Sequence, residues 1–353
     1  NANEGECDLN LKATTAGLHR VAVEPATDGG GFSFKPAATS DATGTLSSGV
    51  PMTVNLDRRG QNGRYTFDGV AGGSVALQIV GDRLGPVNKK GLMNYSVYKP
   101  DGTLLLMMDY QAAAIANFSS LPQTGSYTIF LDPVHGAAAM VQLSLTPGVS
   151  EQLNGAGGSY ATQIPGQRAY LVYEISAGQK LGFGIYDLAA GTSSVWLTHP
   201  SGSVQCYVSN QGCDINIAAT QSGTYVVELG PSSAVTMSFK TLLSSDVTGV
   251  LQRNVLQHVE LTRRGSNARL TFSATAGESL SLQTVNHSSS PAQVGFYCTV
   301  YTPSGQVWRS TWLHVGTTLS LSGIPSTGTY VVFLDPSYGV TISSDIRLTG
   351  PAL

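Results

Sequence analysis

The side chains best suited to proton transfer or to zinc are the six histidines, His19, His135, His199, His258, His287 and His314. None stands in a ligand spacing such as His-x-x-x-His, and they share no position in the repeats described below, so neither a zinc centre nor a histidine base is expected. His135 follows Asp132-Pro133-Val134, an order that could set an acid beside a base, but a turn histidine is the simpler reading because the corresponding stretches lack it. Serines are plentiful, yet there is no Gly-x-Ser-x-Gly elbow and no phosphate-cradling glycine loop. A hydroxyl without a base in reach is not a nucleophile. No catalytic, cofactor-binding or metal-ligating residue is therefore assigned, and the chain is expected not to be an enzyme.

The cysteines carry the remaining covalent chemistry. Cys206 and Cys213 flank Tyr-Val-Ser-Asn-Gln-Gly, a turn-forming stretch between two strands, which favours a cross-strand disulfide over two buried thiols. Glu6-Cys7-Asp8-Leu9-Asn10-Leu11 lines up with Gly212-Cys213-Asp214-Ile215-Asn216-Ile217, so a partner for Cys7 is expected just ahead of residue 1. Cys298 sits in an alternating strand and reads as a core thiol. An oxidising, extracytoplasmic setting follows, secreted or on a cell surface. The first residues lack the basic and apolar zones of a signal peptide, which is expected from truncation, and no apolar run is long enough to enter a membrane.

Aromatic side chains offer a binding surface. Aligned on the Pro-Ser-Gly turns, Val97, Leu197 and Val300 share a face with Tyr95, Val195 and Cys298, which turns Ser96, Trp196 and Thr299 outward. Trp308 and Trp312, four apart on one strand, are expected on the same side, where they either fill the core, meet a neighbouring repeat, or offer a platform for sugar rings. Trp196, Trp308 and Trp312 are thus the candidate glycan contacts. The pairs Arg58-Arg59 and Arg263-Arg264 could meet a polyanion, but solvated loop ends are the preferred reading, and a net charge of −3 gives no footprint for nucleic acid. Asn94-Tyr95-Ser96, Asn117-Phe118-Ser119 and Asn286-His287-Ser288 fit the glycosylation tripeptide and carry little weight.

The elements that position these residues come from one stretch written four times, opening at Gly17, Gly125, Gly223 and Gly328 and closing at Pro25, Pro133, Pro231 and Pro336. A glycine free to take positive φ begins each run, and a proline that cannot donate to a ladder ends it. Positions two, four and six after the glycine read His/Val/Val, Tyr/Ile/Leu, Tyr/Val/Leu and Tyr/Val/Leu, the alternation of a strand with one face in a core. The glycines stand 108, 98 and 105 residues apart. With 41 glycines, 12% charged residues and no helical apolar period, the chain is expected to be all-β, in tandem jelly-roll-like antiparallel β-sandwiches of about 100 residues each. The divisions expected are the C-terminal half of a truncated repeat at 1–40 and full repeats at 41–147, 148–245 and 246–353. No long Pro/Ser linker separates them, so neighbours should abut with restricted bending.

The order Gly60-Gln61-Asn62-Gly63-Arg64-Tyr65-Thr66-Phe67, then Tyr98-Lys99-Pro100-Asp101-Gly102-Thr103-Leu104, then Leu121-Pro122-Gln123-Thr124-Gly125-Ser126-Tyr127, with the Asp246 to Gly249 junction, resembles the tandem β-sandwich repeats of large secreted bacterial proteins. These repeats accompany RHS/YD-repeat shells and are similar to bacterial pre-peptidase C-terminal domains. The resemblance implies a non-catalytic extracellular module attached to a larger polypeptide. Domains of this kind sometimes bind calcium; the acids ahead of the closing proline are Glu24, Asp132 and Asp335, but Gly230 takes the place once and no dense acidic loop is present, so turn-stabilising carboxylates are preferred to a calcium site. The function expected is a structural spacer or adhesive stalk. Carbohydrate binding through tryptophan is one alternative, and accessory domains of a toxin or hydrolase whose catalytic domain lies elsewhere is another. A surface glycan or protein receptor, and a partner completing the 1–40 half unit, are the expected associations.

Overall fold

The computed structural model describes residues 8–24, 33–84, 93–110, 113–152, 157–189, 193–199, 202–208 and 212–350. Cys7, Pro25, Gly31-Phe32 and the Pro200-Ser201 turn lie outside them. The fold is all-β, with two short 3-10 turns among the described residues. Three stretches each build a five-stranded and a four-stranded sheet that face one another across a core.

In the first sandwich the five-stranded sheet runs Ala42–Thr45, Gly63–Gly69, Gly125–Pro133, Met93–Tyr98, Leu104–Tyr110 in spatial order. The four-stranded sheet runs Met52–Leu56, Ala139–Pro147, Val75–Leu84, Ala113–Phe118. The second and third sandwiches repeat both orders strand for strand. Pairing between the described strands is antiparallel except for the first strand of each repeat, which lies parallel to its neighbour, as in Ala42 beside Gly63 and Val247 beside Ala268; an isolated parallel bridge joins Arg253 and Leu348. By contact density the chain forms two compact units, Asn1–Pro147 and Gly148–Leu353, the latter holding the second and third sandwiches.

The recurrent glycine strand is the middle strand of every five-stranded sheet. Its alternate residues Tyr127/Ile129/Leu131, Tyr225/Val227/Leu229 and Tyr330/Val332/Leu334 are fully buried or nearly so. The tyrosine has a polar reason as well: each hydroxyl donates to the carbonyl four residues back, Tyr127 to Gln123 at 2.7 Å, Tyr225 to Gln221 at 3.1 Å and Tyr330 to Ser326 at 2.7 Å. The bond ties the incoming loop to the central strand and satisfies a phenol that burial would otherwise penalise. Phe67 stacks on Tyr127 and Phe272 on Tyr330 beneath it.

The run from Gly17 departs from expectation. Residues 17–24 form no strand, and 18–24 are exposed. A strand is held by ladder partners, and no described strand pairs with this one.

Candidate functional site: a repeated dock

Cys213–Ala218 is the edge strand of the second sandwich's four-stranded sheet. Ile215 and Ile217 point into the core, so the alternation sends Asp214 and Asn216 out of the opposite face. There they meet the third sandwich. Asn216 Nδ2 donates to Asp335 Oδ2 at 2.7 Å, and Asn267 Nδ2 donates to Asn216 Oδ1 at 2.7 Å. Asp246 accepts from Asn267 at 3.3 Å and from Arg269 Nε at 2.6 Å, and Arg269 lies 4.1 Å from the centre of the Phe333 ring.

Close backbone approach makes the contact possible. A Cβ on Gly182, on the strand beside Asn216, would lie 1.6 Å from the Gly265 carbonyl oxygen. Gly265 itself has φ +75° and would press on Gly184. In the turn Ser337–Gly339, Tyr338 takes a left-handed φ of 58° and Gly339 leaves room for Asp214, whose Cβ a side chain there would meet at 2.9 Å. Arg263 reaches back to Leu243 O and Ser244 Oγ, each at 3.1 Å, and Arg264 lies over Tyr186. The pair expected as solvated loop ends therefore grips the preceding sandwich.

The first compact unit holds a second version. Asn10 Nδ2 donates to Asp132 Oδ2 at 2.9 Å and Asn62 Nδ2 donates to Asn10 Oδ1 at 2.6 Å, while Arg64 binds Asp41 and lies over Phe130. The turn Val134–Gly136 has His135 at φ 60°, and Asp8 packs on Gly136. Asp8 and Asn10 thus stand to the first sandwich as Asp214 and Asn216 stand to the third. The second sandwich carries Gly148, Arg168 and Gly230 in place of Asp246, Asn267 and Asp335; its Arg168 pairs with its own Glu228. The acid ahead of the closing proline was expected to steady its own turn, and in the first and third sandwiches it receives an asparagine from an earlier segment instead.

Electrostatics concentrate at Asp214 and Asp335. Part of the Asp214 side chain meets solvent, but its carboxyl is packed deep among protein atoms, and this desolvation, followed by the charge of Asp335 and a hydrogen bond to it, raises its pKa well above the ordinary value. Asp335 is raised too, first by desolvation, against the bond from Asn216. The hydrogen bond between the two carboxyls raises Asp214 and lowers Asp335. Asp132 is raised in the same direction, led by desolvation and opposed by Asn10. Among the described residues no group of three or more His, Cys, Asp or Glu is set to hold a metal ion.

No family model matches the chain, and no curated protein matches it. Among solved structures it is similar to the pre-peptidase C-terminal domain of collagenase from Bacillus anthracis, at 12% identity over 30% of this chain and 96% of that one, with a TM-score of 0.25. A triple jelly-roll protein from an archaeal virus matches at 14% identity over 86% and 90%, with a TM-score of 0.20. The CUB1-EGF-CUB2 region of human MASP-1/3 matches at 6% identity over 55% and 99%, with a TM-score of 0.21. Likeness at this level carries no argument about activity, and the fold class rests on the sheets themselves.

Cys206 and Cys213 are bonded, and the bond joins the edge strands of the two facing sheets rather than neighbours in one sheet. Cys298 is a buried free thiol, its pKa pushed up to about 12 by burial. Trp196 is on the outside at 41% exposure. Trp308 and Trp312, expected to share a side, do not: the pairing register slips by one residue at Trp308, which turns it onto the core beside Tyr330, while Trp312 stays outside at 38% and meets Tyr297 edge-on at 5.0 Å.

One hydroxyl does have a base in reach, contrary to the reading of the sequence. Ser344 Oγ lies 2.6 Å from His287 Nδ1, whose Nε2 lies 2.7 Å from the Val294 carbonyl. Ser344 is 1% exposed and both ring nitrogens are engaged, so the pair closes the sandwich interior rather than facing a substrate. A hollow of about 330 Å3 nearby is lined by Glu260, Thr262, Ser288, Ser290, Thr341 and Ser343. No helix among the described residues is long and apolar enough to cross a membrane.

Proposed function

We propose that this chain is a non-catalytic structural region of a secreted or surface-attached protein, a run of β-sandwiches that spaces or presents whatever is joined to it. The observation that carries this reading is the dock, in which one sandwich offers an Asp-x-Asn edge strand and the next offers an Asn, an Asp and a glycine turn. Residues that stand outside the cores with buried or close polar contacts are placed where a site would be, and here they are used to hold sandwich on sandwich. The disulfide supports an oxidising compartment. The resemblance to RHS-associated repeats fits this reading.

A second reading, carbohydrate contact, is favoured by one feature: Tyr297 and Trp312 form an exposed aromatic pair, at 54% and 38%, on the outer face of the third sandwich. A broad glycan array with and without calcium, run beside Trp312→Ala, separates the two. The spacer reading expects a blank array; saturable binding lost in Trp312→Ala would transfer the function to carbohydrate recognition.

A further inference from the structure

We propose that residues 8–24, with Phe34, are the second half of a further sandwich of this same repeat, and that their apolar face is an interaction surface for the first half of such a sandwich. This goes beyond the spacer reading and does not rest on it.

Three observations carry it. First, Asp8 and Asn10 make on the first sandwich the bonds that Asp214 and Asn216, residues of a sandwich edge strand, make on the third. Second, His19 stands two residues after Gly17, where the other repeats have tyrosine, and its Nε2 lies 3.1 Å from the Thr15 carbonyl, the contact four residues back that the tyrosine hydroxyls make. Third, apolar residues fall in core register without a core. Leu9, Leu11, Val21 and Val23 are 66%, 73%, 60% and 47% exposed, whereas Ile215, Ile217, Val227 and Leu229, which hold those places in the second sandwich, are exposed by 5% or less. Phe34-Lys35 stands seven residues ahead of Asp41 as Phe239-Lys240 stands seven ahead of Asp246.

The chemistry of the occupant follows from what covers those places in the second sandwich. Leu171, Tyr173, Leu181 and Phe183, on the alternating strands Ala169–Ile175 and Lys180–Ala189, supply the facing core. The occupant is therefore a strand set of this type. A second copy of the chain does not offer one, because each described first half is already closed on its own second half.

The test places such a half ahead of Cys7 in the full chain, using residues 148–212 of the second sandwich. The expected result is a disulfide between the added copy of Cys206 and Cys7, read by peptide mass spectrometry, with amide exchange at Leu9, Leu11, Val21 and Val23 slowed by about 100-fold or more. A second fusion, which checks that the added segment can close on this chain, replaces residues 1–25 by residues 148–231, so that both halves come from one sandwich and Phe34 closes it. Protection of Ile215, Ile217, Val227 and Leu229 in this fusion, with none at Leu9, Leu11, Val21 and Val23 in the first, would show that residues 8–24 do not complete the repeat and would overturn the proposal. Protection in neither would overturn it through Phe34. Protection of Leu9, Leu11, Val21 and Val23 in the unfused chain, with a doubled mass in solution, would assign the surface to a second copy and overturn it as well.

Discussion

Replacing Asp214 by Asn should remove a pH dependence from the compact unit Gly148–Leu353. The folded unit holds the Asp214 proton far more tightly than an unfolded chain would, because desolvation and the neighbouring Asp335 both disfavour a second negative charge. A carboxyl whose folded pKa is raised binds more protons in the folded state, so stability is greatest below the ordinary carboxylate range and falls as pH rises through the window up to the raised value. One extra bound proton gives a slope of about 1.4 kcal/mol per pH unit, a ceiling that the partial exposure of Asp214 lowers. Asp335 is shifted in the same direction and adds to the same fall. Asn keeps the size and can donate to Asp335 without titrating. The chain's three tryptophans, Trp196, Trp308 and Trp312, all lie in this unit, so urea unfolding followed by tryptophan emission reports on it alone. As pH rises from the ordinary carboxylate range the parent should lose on the order of 1–3 kcal/mol, while Asp214→Asn keeps only the smaller fall carried by Asp335 and is the more stable protein at the higher pH. Parallel pH profiles for the two proteins would refute the raised carboxyl of Asp214.

Tyr330→Phe removes the hydroxyl that ties Ser326 to the central strand and should cost about 1 kcal/mol by the same emission-monitored unfolding, with no change in fold. A cost too small to measure would mean that the bond does not hold the loop. Reducing Cys206–Cys213 opens a loop with a sequence separation of 7, and the chain-entropy relation puts the loss at about 2.5 kcal/mol, read as a drop in the urea midpoint of the second unit.

The sandwiches were legible because their signal is local. Tyr330, Val332 and Leu334 alternate along one strand, and proline and glycine mark its ends, so fold class and central strand follow from neighbours in sequence. The dock was not, since Asn216 meets Asp335 across 119 positions and each side chain alone reads as an ordinary polar surface residue. A signal was present in comparison of the repeats: Asn62 and Asn267 occur where Asp132 and Asp335 also occur, and the repeat with Arg168 and Gly230 follows the strand Ala113–Phe118, which lacks the Asp-x-Asn pair. Trp308 and Trp312 were expected on one side and are not, because one inserted residue reverses which face a strand position occupies, and nothing in the letters Val307-Trp308-Arg309 announces the slip. The Gly17 run shows the converse, a strand pattern with no strand, because pairing needs partners that sequence alternation does not supply.

The central claim is that the Asp-x-Asn strand locks one sandwich to the next, and a distance distribution tests it most directly. Spin labels at exposed Ser203 of the second sandwich and Ser320 of the third, in a Cys7→Ser background, would be measured by pulsed dipolar spectroscopy. The account predicts a single narrow distance in the parent that broadens in Gly265→Ala, where the new Cβ would press on the Gly184 amide nitrogen at 2.4 Å, with both sandwiches still folded. A broad distribution in the parent, or an equally narrow one in the variant, would contradict it.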